Sequence, residues 1–222
     1  MELDKLSQFI IFLIIYFYIC NWFQINTFVT HLFQKNSFNI IEDNKITSSI
    51  QQKTGLEIKK IIIFNSERLF GMMPGIPVKP NLILSRGLYE NSKQDELEWV
   101  LLHEAAHCKF WHVPIISFIQ LLLFLIGLYG LQQLNLPTFL APIYSILFSL
   151  IFIQIAKLFE YQADYFSINR VSNPSAVISA QEKFINNNRG ILYSNKIFRL
   201  LFYWNISFST RISLAKKRIP NL

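Results

Sequence analysis

Between Lys109 and Lys157 the chain carries no Asp, Glu, Lys or Arg. A helix that is apolar on every side is either buried in a large core or set in a membrane, and crossing the hydrocarbon layer takes roughly 20 residues. Residues 113–131 and 137–156 each meet that length. Gln132, Gln133, Leu134 and Asn135 form a short polar link between them, and Pro137 breaks the helix. The run therefore predicts a transmembrane helical hairpin at 113–156 that leaves and re-enters on one side. Gly127, Gly130, Pro137 and Pro142 are tolerable in such helices. A buried core helix is the competing reading, and the all-round apolar character speaks against it.

Residues 6–34 are also free of charge and hold one further span, at about 6–23. The opening MELDKL is not basic and no small-x-small cleavage site follows the apolar stretch, so this run reads as an uncleaved anchor (residues 1–34) and not a signal peptide. A hydrophobic fraction of 52%, with 21 Phe, and a mean hydropathy of +0.31 agree with about three spans.

The net charge of +7 is unevenly placed. Residues 1–109 balance, whereas 157–222 hold 10 basic and 3 acidic side chains, a surplus of +7. A basic segment beside a span belongs on the cytoplasmic face, and an uncharged link suits the opposite one. No nucleic-acid motif accompanies the basic tail, so nucleic acid is not expected as a partner. Cys20 and Cys108 make no disulfide framework.

Residues 35–56 read as a polar helix. LEIKKIIIFNS (56–66) and NLILSRGL (81–88) read as strands, with the Gly/Pro-rich GMMPGIPVKP (71–80) as a loop between them. Ser92 and Asp95 suggest a cap for a helix carrying residues 96–112. Helix continues beyond the third span through 157–170, and Asn173-Pro174 opens another at 175–187. The tail is mixed, basic and helical. The expected class is mainly α with a small β-sheet.

The helix at 96–112 contains VLLHEAAHCKFWH. His103 and His107 stand four residues apart, so both imidazoles project from one helix face and can reach one tetrahedral metal. Glu104 lies beside the pair, where a carboxylate can take a proton from a metal-activated water. His-Glu-x-x-His thus supplies two ligands and a base in one turn, and a third protein ligand is required. His112 is one residue short of the spacing in His-Glu-x-x-His-x-x-Gly-x-x-His and reads as a juxtamembrane polar residue. Glu160, directly after the third span, is the better third ligand, because the hairpin returns it to the side from which the motif helix departs. Asp164, one turn on, can accept a hydrogen bond from a ligand imidazole.

HEAAH, two apolar spans and then EYQAD resemble the HtpX-like and CAAX prenyl protease family of integral membrane zinc endopeptidases, over about residues 58–214. The resemblance implies a zincin-like core with transmembrane helices, forming a peptidase domain over 35–222 that the hairpin interrupts. It implies one Zn2+ per chain on His103, His107 and Glu160, with Glu104 as base. It implies protein or peptide substrates, a lipid bilayer as environment, a cytosolic site and a role in membrane-protein quality control. By resemblance, Asn81, Leu82, Ile83, Leu84 and Ser85 form a substrate-binding edge strand, and Arg211, opening Arg211-Ile212-Ser213-Leu214, lines the site. Where the family carries His-Pro, this chain has Asn205-Ile206. Asn205 can still donate one neutral hydrogen bond to substrate or oxyanion. That departure leaves open a zinc-binding relative or regulatory sensor that does not cleave. A protease for prenylated C-terminal peptides and a metal-free membrane scaffold are further alternatives.

Overall fold

The structure, a computed structural model, describes residues 38–133, 141–187 and 208–219. It is mostly helical with one small mixed sheet. In chain order the elements are β1 (Phe38–Ile41), α1 (Asn44–Thr54), β2 (Lys60–Phe64), β3 (Gly71–Met72), β4 (Asn81–Ser85), α2 (Arg86–Asn91), α3 (Gln94–Lys109), α4 (His112–Gln133), α5 (Ala141–Ile168), α6 (Ser175–Asn187) and α7 (Phe208–Lys216). The described residues fall into two compact units, one of 38–116 with 155–187 and 208–219, the other of 117–133 with 141–154. The first span expected at 6–23 lies outside the described residues, as does the link at 134–135.

The sheet order is β1-β2-β4-β3, with β2 and β4 parallel and both outer pairs antiparallel. Strand alternation gives it one apolar face. Ile61 and Ile63 of β2 lie beside Leu82 and Leu84 of β4, and all four are buried with Ile50, Leu88, Val100 and Leu101. Lys60 and Ile62 of β2 and Asn81 and Ile83 of β4 take the other phase and are less buried.

Local chemistry sets the boundaries. Asp43 caps α1, its carboxylate accepting from the backbone N–H of Lys45 and Ile46 at 3.0 and 3.1 Å. Gly55 closes the helix in the left-handed region, φ 79°, donating to Gln51 O. The polar stretch read as one helix is therefore a strand, a cap and a helix. Ser85 Oγ accepts from Leu88 N at 3.2 Å, which ends β4 and starts α2 inside the stretch read as strand. α3 begins at Gln94 and not after Ser92; Glu96 reaches back to Lys93 N at 2.9 Å. Ala105 and Ala106 are fully buried and let α3 pack closely.

The expectation of an edge position for Asn81–Ser85 is corrected. β4 pairs with β2 from Asn81 to Ser85 and with β3 at Leu84 and Ile83, so it lies inside the sheet order and is flanked on both sides at those two residues. The Gly/Pro-rich stretch hides two strand residues, Gly71 and Met72. Among the described residues β3 is the outer strand on that side.

Candidate metal centre

α3 places His103 and His107 one turn apart, with Nε2 atoms 3.1 Å from each other. α5 brings Glu160 to the same point: Oε2 lies 3.6 Å from His103 Nε2 and Oε1 lies 3.4 Å from His107 Nε2. One donor atom from each of the three falls within 4.8 Å of the others. Two imidazole nitrogens and one carboxylate oxygen are a donor set that suits zinc and leave a fourth position for water or substrate. The residues present therefore fit the ion.

Around the donors lies a ring of partners. His103 Nδ1 is 2.9 Å from Oδ1 of the fully buried Asp164, close but off the line of a hydrogen bond. Arg211 of α7 donates Nε–H to Asp164 Oδ2 at 2.7 Å and Nη2–H to Glu160 Oε2 at 3.0 Å, with its guanidinium 5.9 Å from the Trp99 ring. One guanidinium thus braces a donor and a donor's partner, a bidentate role that suits its planar fork. Asn205 and Ile206 lie outside the described residues.

The electrostatics follow from crowding. Burial opposes charge on His103, but Asp164 and Glu160 outweigh it and raise its pKa to about 10. Burial together with that neighbouring charge lowers His107 to about 3. Glu160 is held at about 2, since His103, His107 and Arg211 overcome its burial. Burial pushes Glu104 up to about 7, with the charge of Glu160 adding to it. A carboxyl poised there suits a general base near neutral pH.

His112 is a residue that spacing alone missed. It is 1% exposed, its Nδ1 lies 2.9 Å from His107 Nδ1, and its Nε2 lies 3.0 Å from Gln162 Oε1. On a straight helix, five residues turn about 140°, which would carry it away from His107. The helix instead breaks: Phe110 caps α3, Trp111 takes φ 59°, and α4 departs at 49°. A bulky residue in the left-handed region costs about 1–2 kcal/mol, and the break brings His112 back beside the motif. A non-helical signal at Phe110-Trp111 is absent from the sequence, so the contact was not legible.

Among the described residues no single helix is long and apolar enough to cross a membrane; the bent pair Gln94–Lys109 with His112–Gly127 is, by length and composition.

The model of peptidase family M48 matches residues 46–213. No curated protein matches the chain. Among solved structures, the crystal structure of S. mikatae Ste24p matches with a TM-score of 0.64 and 17% identity, over 97% of this chain and 63% of that one. The present chain thus spans less than two thirds of the length of Ste24p, and the likeness at this identity is one of fold.

Proposed function

The chain belongs to peptidase family M48, and from that premise we propose that it is a membrane-embedded zinc metalloendopeptidase that hydrolyses protein or peptide substrates. The observation that carries this reading is the convergence of His103, His107 and Glu160 within 4.8 Å, with Glu104 in the same turn of α3. His103, His107 and Glu160 would hold one zinc ion, which when bound supplies Lewis-acid activation of the attacking water and of the scissile carbonyl. The carboxylate of Glu104 takes the proton of that water as its oxygen bonds to the carbonyl carbon. It then delivers the proton to the amine nitrogen as the C–N bond breaks. Asp164 fixes the His103 ring, and Arg211 holds Glu160 and Asp164 in place. An extended substrate would add its backbone along the outer edge of β3, giving sequence-tolerant recognition.

Membrane embedding is supported by the charge-free run and by the faces it exposes. Phe118, Leu121, Leu122, Leu125 and Ile126 of α4, with Leu147 and Ile151 of α5, are exposed, a run of large apolar side chains that water does not favour. Trp111, Tyr161 and Tyr165 are exposed near the ends of these segments, where aromatic side chains mark the lipid–water boundary. In this reading residues 1–34 form an anchor, the hairpin spans 113–131 and 137–156, and the basic tail holds the site on the cytoplasmic side. Membrane or misfolded proteins are the substrates, as in quality control.

The test is metal analysis and proteolysis on detergent-purified full chain. The expected result is one zinc per chain and cleavage of an unfolded protein such as casein. Glu104→Gln keeps the zinc and loses cleavage by at least about a hundredfold. Glu160→Ala loses the zinc. Stoichiometric zinc without cleavage of any unfolded or membrane protein would overturn the peptidase reading, leaving a zinc-binding relative.

A further inference from the structure

The Nε2 atom of His107 points to Glu160 and His103. A neutral imidazole that ligates through Nε2 carries its proton on Nδ1 and must donate it. The atom that faces His107 Nδ1, at 2.9 Å, is Nδ1 of His112. Two N–H groups cannot face each other at that distance, so His112 Nδ1 must be the bare acceptor. Its proton then sits on Nε2, and Nε2 is 3.0 Å from Gln162 Oε1, a carbonyl oxygen that can only accept. All three groups are satisfied in one direction: His107 Nδ1–H donates to His112, and His112 Nε2–H donates to Gln162.

The ring of His112 is also fixed in plane. It stacks on Phe159 at 4.6 Å and 3°, and lies 5.8 Å from Phe110 at 30°. Phe159 and Gln162 flank Glu160 on α5, so one short segment offers a donor to the metal point and clamps the histidine that orients another. We infer that His112 is a positioning residue for the metal centre: with its tautomer set by Gln162, it accepts the Nδ1 proton of His107 and aims the Nε2 of that ring at the metal. This rests on the reading of His107 as a ligand. It gives the two histidines unlike supports, a carboxylate behind His103 and a neutral imidazole behind His107. Partners of this kind govern metal affinity because they fix both ring orientation and proton position.

Zinc affinity of the metal-stripped full chain, measured by chelator competition, tests it alongside the melting temperature of the metal-free form. His112→Phe keeps the stack and removes the acceptor; zinc binding is expected to weaken by about 10–100-fold. His112→Gln restores an acceptor and is expected to recover part of that loss. Gln162→Leu, at an exposed position, leaves folding intact and frees the tautomer, with a smaller loss of affinity. Long-range proton–nitrogen spectra of the zinc-loaded wild type should show His112 protonated on Nε2 and His107 on Nδ1. Unchanged zinc affinity in both His112→Phe and Gln162→Leu, or a proton on His112 Nδ1, would sink the inference while the ligand reading stands, provided His107→Ala loses zinc. A wild-type chain that binds no zinc would remove both.

Discussion

Glu104 is a carboxyl group whose proton affinity is raised by its surroundings. Its pKa is raised from 4.5 to about 7, first by burial and then by the charge of Glu160. The sign of the consequence is the reverse of a salt-bridged carboxylate. Below pH 4.5 the group is protonated whether the chain is folded or not, and contributes nothing. As pH rises toward 7 the unfolded chain releases its proton first, so the folded form loses relative stability, and the loss is complete above 7. Glu104→Gln should therefore raise the melting temperature of the metal-free protein at pH 8 and leave it unchanged at pH 4. A variant less stable than wild type at pH 8 would refute the assignment. Catalytic poise here opposes stability, as it often does at active sites. Asp164→Asn probes the same ring of partners from the other side: zinc affinity should fall by about 10–100-fold in chelator competition, since an amide cannot supply the charge that faces His103 Nδ1. The convergence of His103, His107 and Glu160, with Asp164 beside His103, was legible in the sequence because each relation is an i, i+4 spacing or a return after the apolar run. His112 was not, because its approach to His107 depends on a left-handed Trp111. Arg211 came only through resemblance, since its partners lie about 50 residues away on another helix.

At the scale of elements, patterns with strong chemical punctuation were readable and those without were not. Asn173-Pro174 marked α6, which spans the expected 175–187, with Asn173 Oδ1 accepting from Ser175 N at 3.1 Å. β1 lies in a polar stretch, and its four residues matter only because Phe38 and Ile40 pair with Phe64 and Ile62 far along the chain. β3 is shorter still, and proline and glycine around it speak for a loop. Its pairing nonetheless covers the edge of β4 at Ile83 and Leu84. The turn from β4 into α2 shows how tightly these pieces fit. Gly87 N donates to Ser66 O at 2.9 Å, and a Cβ at Gly87 would lie 2.4 Å from Glu67 O. Backbone, unlike a side-chain tip, has little freedom to move aside. Gly87→Ala should cost roughly 1–3 kcal/mol and lower the melting temperature by several degrees, while zinc stoichiometry holds. An unchanged melting temperature would show that the 65–70 segment yields freely.

For the whole molecule, in the proposed membrane-embedded reading, the order of the chain is what would tie the chemistry to the bilayer. The unit that carries the metal centre is built from Ser37–Ile116 and Ile155–Leu222, and Ser117–Gln154, which belongs to the other unit, is inserted between its halves. Glu160 must therefore arrive after a departure and a return. A chain that crossed once, or three times, between Lys109 and Lys157 would deliver Glu160 to the wrong side of the membrane. On the proposed reading two crossings would satisfy both the donors and the distribution of charge, because Lys157 to Leu222 carries the whole +7 surplus and the link at 132–135 carries none. This fixes an outcome for single cysteines placed in a Cys20→Ser, Cys108→Ala background. Asn135→Cys should react with a membrane-impermeant maleimide added outside intact cells, and Lys217→Cys only after the cytoplasmic face is opened. Lys53 makes the prediction independent of the tail. It bonds Glu98 on α3 and both Ser172 Oγ and Arg170 O beyond α5, so α1 is tied to the chain on both sides of the hairpin. Lys45→Cys, at the exposed start of α1, should label with Lys217→Cys. If Asn135→Cys and Lys217→Cys label from one side, the hairpin does not cross, and the exposed faces of α4 and α5 need a protein partner in place of lipid.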